Sequence, residues 1–66
     1  MVSNKLKQIR MQQYMMNKKQ FCELIGVVEQ QYGRYERASY QPSLEVALKI
    51  SKTLGMTVND IWNLEE

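Results

Sequence analysis

Apolar residues recur along the chain at spacings of three and four residues, whereas the strict alternation of a half-buried strand is scarce. This period matches one face of an α-helix, so the pattern predicts an all-α fold, a compact bundle of five helices. The predicted apolar stripes are, in chain order, Leu6 and Ile9; Phe21, Cys22 and Ile25; Tyr32 and Tyr35; Leu44, Ala47, Leu48 and Leu54, joined by Ser51; and Val58, Ile61, Trp62 and Leu64.

Residues with capping side chains stand before most of these stripes, and glycine follows two of them. Short oxygen-bearing side chains accept hydrogen bonds from the first free N–H groups of a helix, and glycine adopts the left-handed backbone that ends one. The predicted caps are Ser3 or Asn4, Asn17, Ser43 and Thr57, and the terminating glycines are Gly26 and Gly55. Gln20 and Asp60 each lie three residues after a cap, as a capping box requires. The third helix, from about Val28 to Arg37, begins without such an acceptor.

The composition of the 66 residues excludes several kinds of site. There is no histidine and one cysteine, which rules out an intramolecular disulfide, the usual zinc ligand sets and a histidine-based catalytic triad. The three glycines are far apart and form no phosphate-binding loop. We therefore expect one domain over residues 1–66 that is not an enzyme and has no cofactor, metal or evident small-molecule ligand.

The location of the protein is predicted from what its chain lacks. No apolar run is long enough to span a bilayer, and no basic start followed by an apolar stretch resembles a signal peptide. A lone cysteine suits a reducing compartment. We expect a cytoplasmic protein without a membrane partner.

Charge is distributed unevenly along the chain. Residues 1–42 carry seven Lys and Arg against three Asp and Glu, whereas residues 43–66 carry two against four. The net charges are thus +4 and −2, although the whole chain has only +2. A basic half and an acidic half indicate one face suited to a polyanion and another suited to a different contact.

The spacing between residues 18 and 37 is typical of a helix-turn-helix. Such a motif needs a large and then a small apolar residue on its first helix, glycine in the turn, an apolar plug, and two apolar residues three apart on its second helix. The residues that meet these demands are Phe21, Cys22, Ile25, Gly26, Val27, Tyr32 and Tyr35. Seven matched positions in one frame predict a double-stranded DNA-binding unit with its recognition helix near Glu29 to Arg37.

With this frame, the chain resembles the lambda repressor/Cro family of Xre-like regulators over about residues 4–64. The stretches that carry the likeness beyond the frame are Arg34-Tyr35-Glu36-Arg37, Pro42-Ser43-Leu44, Ala47-Leu48-Lys49-Ile50 and Val58 to Trp62. The resemblance implies a five-helix bundle and an ion pair between Arg10 and Glu36. Arg10 and Asn17 are seven residues apart, where the family usually has six, so we expect a loop one residue longer. Ala38 stands where the family usually has glycine or asparagine.

The motif assigns DNA contacts to two sets of residues. Side chains at the start and on the outer face of a recognition helix reach base edges in the major groove, whereas phosphate contacts set the register. The predicted base-reading residues are Glu29, Gln30, Gln31 and Arg34. The predicted phosphate ligands are Asn17, Lys18, Lys19, Arg37 and Tyr40. Gly33 leaves one groove-facing position without a side chain.

A single unit of this size reads few base pairs, so we expect a homodimer on a near-palindromic operator. The fifth helix is the predicted interface, because Trp62 and Leu64 are more apolar surface than so short a helix can bury in its own domain. The interface residues are then Val58, Ile61, Trp62 and Leu64. A small unit without an activation segment favours repression by occlusion. The alternative is a protein-interaction module such as an antitoxin, with DNA binding secondary.

Overall fold

The computed structural model of the chain describes residues 2–65, and in that range it contains five helices and a two-stranded sheet. The elements are β1 (Val2–Asn4), α1 (Leu6–Gln8) continuing into a π-helical segment (Ile9–Tyr14), α2 (Lys18–Ile25), α3 (Glu29–Glu36), α4 (Leu44–Leu54), α5 (Val58–Ile61) and β2 (Trp62–Leu64). The bundle measures 32 × 23 × 22 Å. The predicted five-helix bundle is confirmed, and the sheet is an addition to it.

Side-chain caps begin three of the helices where they are predicted. The Asn17 Oδ1 atom accepts from the Gln20 N–H at 2.8 Å, and the Gln20 Oε1 atom accepts from the Asn17 N–H at 3.1 Å. Thr57 and Asp60 form the same reciprocal box at α5, and Ser43 caps α4. The glycines at positions 26 and 55 end α2 and α4 with left-handed backbone, at φ 74° and 68°. Each side-chain cap is worth about 1 kcal/mol, so these boundaries are encoded locally.

The first helix departs from its prediction at both ends. Ser3 lies in β1, and Lys5 precedes the helix, while the Asn4 Oδ1 atom accepts from the Leu6 N–H at 3.1 Å. The extra residue before Asn17 is absorbed in a π-helical turn that ends at Met15 with φ 50°. The prediction of a longer loop is therefore wrong, because a wider i→i+5 turn takes up one residue while the chain stays helical.

The sheet joins the two ends of the described chain. Its strands are antiparallel and pair Val2 with Leu64 and Asn4 with Trp62. The Lys5 N–H continues this contact by donating to the Ile61 carbonyl oxygen at 2.9 Å. Three-residue strands are too short for alternation to be recognised in a sequence, so the prediction of a wholly α-helical chain omitted them.

The core lies between α1, α2, α3 and α4. Its fully buried side chains are Leu6, Phe21, Tyr32, Ile50 and Ile61. Phe21 lies between two rings, with its centroid 5.7 Å from that of Tyr14 and 5.6 Å from that of Tyr32. Helix α4 buries Ala47, Ile50, Ser51 and Leu54. The predicted stripe is wrong at Leu44 and Leu48, which are exposed, because α4 is rotated about its axis to face Ile50 inward.

Candidate nucleic-acid interface

A tight turn at residues 26–28 joins α2 to α3. The backbone N–H groups of Gly26 and Val27 both donate to the Cys22 carbonyl oxygen, at 2.9 and 3.1 Å. Val27 packs against the core as the predicted plug. Cys22 is buried, and burial followed by the charge of Glu29 raises the pKa of its thiol. A thiol in this state behaves as a small apolar side chain where the helices cross.

Arg10 fastens α3 to the rest of the bundle. Its Nε atom donates to the Glu36 Oε2 atom at 3.3 Å, and its Nη1 atom donates to the Met16 carbonyl oxygen at 3.0 Å. Arg10 is only 8% exposed. Burial alone would lower its pKa, but the hydrogen bond and charge of Glu36 raise the pKa overall. One guanidinium thus connects the end of α3 to the residue before the α2 cap.

The phenol of Tyr32 lies in the same region beneath α3. Tyr32 is fully buried. Its burial raises the pKa of the phenol above its ordinary value, and the Glu36 carboxylate raises it further. The ring therefore remains neutral and supports the inner face of α3 as a core residue.

The C-terminal end of α3 is held by the N-terminal strand and by the turn that follows. The Asn4 Nδ2 atom donates to the Tyr35 carbonyl oxygen at 2.7 Å. Ala38 takes the left-handed backbone with φ 59°, at a cost of about 1 kcal/mol for a residue with a Cβ atom. The Ser39 N–H and hydroxyl then both donate to the Arg34 carbonyl oxygen. Ala38 thus adopts the left-handed backbone that glycine or asparagine adopts more readily.

The predicted base-reading residues do not all share one surface. Gln30 and Arg34 are exposed on the side of α3 opposite its buried tyrosines, and Glu29 is exposed in the first turn of the helix. Gln31 is half-buried, and its Nε2 atom donates to the Tyr35 Oη atom at 3.3 Å. The outer face of α3 is therefore polar at three of the four predicted positions, with Gln31 turned to its flank.

The predicted phosphate ligands are all exposed. They are Asn17, Lys18, Lys19, Arg37 and Tyr40. The carbonyl oxygen of the Asn17 side chain is engaged in the cap of α2, which leaves its Nδ2 donors free. Tyr40 stacks on Tyr35, with ring centroids 6.2 Å apart and an interplanar angle of 12°. The start of α2 and the end of α3 thus present exposed cations and hydrogen-bond donors.

Comparison with known proteins agrees with this geometry. Residues 6–61 match the family model described as helix-turn-helix. The chain belongs to the Xre/lambda repressor-like helix-turn-helix family. It is also similar to an uncharacterized HTH-type transcriptional regulator of Bacillus subtilis (strain 168), YgzD, with 35% identity over 65 residues. These cover 98% of this chain and 97% of that protein.

One exposed residue of this helix-turn-helix was missed from the sequence. Val28 is 75% exposed at the entry to α3 and has extended backbone. The sequence predicts for Val28 only the absence of a capping oxygen. An apolar residue at a position that favours polar caps was the available signal.

The residues predicted to form a dimer interface are divided by the structure. Ile61 is fully buried and Trp62 is 8% exposed within one copy of the chain. The inference that a short helix could not bury Trp62 is wrong, because β2 pairs with β1 and places the indole in the bundle. Leu64 is 69% exposed and Val58 is half-buried.

Exposed apolar side chains nevertheless gather beside these residues. A shallow groove is lined by Val2, Gln41, Pro42, Leu44, Ala47, Val58 and Trp62. Leu44, at its rim, is 71% exposed, and Leu48 is exposed one turn further along α4. We call Leu44, Leu48, Val58 and Leu64 the leucine surface.

The described residues, 2–65, form neither a metal site nor a membrane-spanning helix. No cluster of acidic residues and cysteine there could hold a metal ion. None of the helices in that range is long and apolar enough to cross a membrane.

Proposed function

We propose that this chain is a sequence-specific transcriptional regulator that binds double-stranded DNA with α3 in the major groove. The observation that carries the proposal is the exposed polar face of α3, which Arg10 holds rigidly on a buried aromatic core. A bundle with such a helix fits the major groove of B-DNA, which admits one α-helix. The name of the Bacillus subtilis relative supports a role in transcription.

The side chains of this face suit particular base edges. Gln30 can pair bidentately with adenine, Arg34 with guanine, and Glu29 can accept from the N4 amino group of cytosine. Val28, exposed beside them, suits the methyl group of thymine. Gln31 takes a smaller part, because its amide is bonded to Tyr35.

The phosphate contacts come from the start of α2 and from Tyr40. The first N–H groups of α2 and the positive end of its dipole favour an anion, and Lys18 and Lys19 add charge. Asn17 donates through its free Nδ2 group, and Arg37 adds positive charge at the end of α3. With about four phosphates neutralised per copy, a dimer would show a salt slope of roughly −7 in log–log form.

The regulator acts as a homodimer in this proposal, and the leucine surface is the contact between copies. Leu44 and Leu48 lie four residues apart on α4, and both adjoin Val58 in surface grooves. Leu64 pairs with Val2, which lines the first of these grooves. Ile61 and Trp62 support this surface from beneath rather than contacting the partner.

The dimer contact can be tested by introducing a charge at the rim of the groove. Leu44→Glu is expected to give monomers in sedimentation equilibrium and weaker operator binding. Met11→Glu is the matched control, since Met11 is also exposed but lies on the π-helical segment. An unchanged dimer mass for Leu44→Glu would remove α4 from the interface.

The dimer would bind two half-sites about one helical turn apart and repress transcription by occluding a promoter in the cytoplasm. Selection of bound duplexes from a random pool at about 0.15 M salt tests this function, because nonspecific binding is weakened there. Enrichment of a near-palindrome with half-sites one turn apart is expected. No enrichment, with binding that disappears as salt rises, would contradict it and favour a protein-interaction role for the leucine surface.

A further inference from the structure

Gly33 lies in the middle of the outer face of α3, yet it is buried. It is three residues after Gln30 and four before Arg37, so the three share one row along the helix. A Cβ atom placed on Gly33 would lie 3.3 Å from the Arg37 Nη1 atom. The guanidinium of Arg37 therefore covers the helix backbone at Gly33.

The absence of a side chain at position 33 leaves room for the Arg37 guanidinium close to the helix backbone. Side chains of an α-helix lean toward its N-terminus, so residue 37 extends over residue 33. At 3.3 Å a Cβ atom would make a tight contact with Nη1, and the guanidinium would have to shift by a few tenths of an ångström. Among the described residues the Glu36 carboxylate is paired with Arg10, so it does not draw Arg37 away from Gly33.

This arrangement bears on what Arg37 contacts. A phosphate ligand at the end of α3 would extend away from the helix axis toward the DNA backbone. Here the Arg37 Nη1 atom instead lies 3.3 Å from where a Cβ atom of Gly33 would stand, one helical turn before Arg37. Its planar fork of donors matches the O6 and N7 atoms of guanine.

We propose that Gly33 and Arg37 together form a specificity determinant, in which Gly33 seats the Arg37 guanidinium so that it reads a guanine in the major groove. The inference rests on the proposed DNA-binding function, since it needs α3 in the groove. It replaces the sequence-based assignment of Arg37 to a phosphate. It also explains why glycine stands inside the recognition helix, although glycine weakens a helix.

The contact between the Arg37 guanidinium and Gly33 can be tested without DNA. Arg37→Lys removes the guanidinium and retains the positive charge. In NMR spectra of the free protein, this change is expected to shift the Gly33 amide and α-proton resonances, whereas Lys19→Ala is expected to leave them unchanged. Identical Gly33 resonances in native protein and Arg37→Lys would overturn the contact.

The role in recognition is tested by competition with every single-base variant of the operator selected by the native protein. Arg37→Lys is expected to reduce discrimination by roughly tenfold at one base pair of each half-site, and Gly33→Ala is expected to reduce it by a smaller factor at the same base pair. The double variant is expected to lose no more than Arg37→Lys alone, because both changes act on one contact. Lys18→Ala is the control and is expected to weaken all sequences evenly.

The outcomes separate this inference from the proposed function. Gly33→Ala should unfold at a temperature no lower than the native protein, because alanine is the better helix former, so lost discrimination cannot be attributed to misfolding. If both variants bind all operator variants more weakly by one common factor, Arg37 is a phosphate ligand and the inference is overturned. If the native protein selects no sequence at all, the proposed function fails before any variant is compared.

Discussion

The two helices of the helix-turn-helix have the same length, eight residues, but they are held by opposite means. Helix α2 begins with a reciprocal capping box between Asn17 and Gln20 and ends on a left-handed glycine. Helix α3 begins at Val28 without any side-chain cap. It depends on Arg10 and Asn4, which bond its far end.

This difference suits the two tasks of the motif. In the proposed complex, the cap makes α2 a stable platform whose start faces the DNA backbone. The uncapped entry of α3 leaves its first N–H groups without a side-chain acceptor. The stability of α3 is supplied from its buried side instead, where it would not compete with the proposed base contacts. The recognition helix is therefore supported by tertiary structure, and the platform helix by local sequence.

The largest loss of stability is expected from removing the Arg10–Glu36 ion pair that supports α3. Arg10→Ala is expected to lower the free energy of unfolding by about 3 kcal/mol, because it leaves the Glu36 carboxylate buried without a partner. Denaturant titration gives the value. The double variant Arg10→Met with Glu36→Gln should recover much of the loss, and an equal loss in both would show that the pair is not what supports α3.

The contacts of the two helices with DNA should differ in kind. Arg34→Ala is expected to cost roughly 1–3 kcal/mol of discrimination at one base pair of each half-site. Lys18→Ala should weaken binding equally for all sequences and reduce the salt slope by about 1 per site. Fluorescence anisotropy with operator and scrambled duplexes measures both. Even, sequence-independent losses from both variants would contradict the division of roles.

The capping difference can be reversed by removing the side-chain cap of α2 and adding one to α3. Asn17→Ala should lower the free energy of unfolding by about 1 kcal/mol, because it removes an acceptor for the Gln20 N–H. Val28→Ser should raise it by up to about 1 kcal/mol, since the native residue offers no cap. Thermal unfolding of the two variants checks this pair. A stabilising effect of Asn17→Ala would show that α2 does not depend on the capping box between Asn17 and Gln20.

The smallest expected effect concerns pH. The hydrogen bond from the Thr57 backbone N–H lowers the pKa of Asp60 below its ordinary value of 3.8. Between the pKa of Asp60 in the folded chain and that in the unfolded chain, the unfolded chain binds more protons. The stability that the Asp60 carboxylate adds to the fold is therefore fully present above pH 3.8 and is lost as pH falls through the lowered pKa. The box of α2 uses the neutral Gln20 and should not titrate. Unfolding temperatures of Asp60→Asn and native protein should converge toward low pH, and a constant gap would contradict this account.

The local features of the fold could be predicted from sequence, and the non-local ones could not. The caps at Asn17, Ser43 and Thr57 act within three residues, so the sequence contains all that determines them. The burial of Trp62 depends on a strand from the other end of the chain. The extra residue before Asn17 could enter either a loop or a π-helical turn, and packing decides between them.

The candidate site shows the same division. Periodicity was enough to place Gln30 and Arg34 on the outer face of α3. It could not show that Gln31 is bonded to Tyr35, or that the Arg37 guanidinium rests on Gly33. Those side chains have several rotamers at the same helical position, and the choice among them depends on their neighbours.

Methylation interference on the selected operator tests the central claim most directly. The account predicts that methyl groups on guanine N7, in the major groove, abolish binding within both half-sites, which lie about one helical turn apart, and that Arg34→Ala removes the effect at one position in each half-site. Methyl groups on adenine N3, in the minor groove, should have little effect. Interference confined to adenine N3, or absent altogether, would contradict the placement of α3 in the major groove.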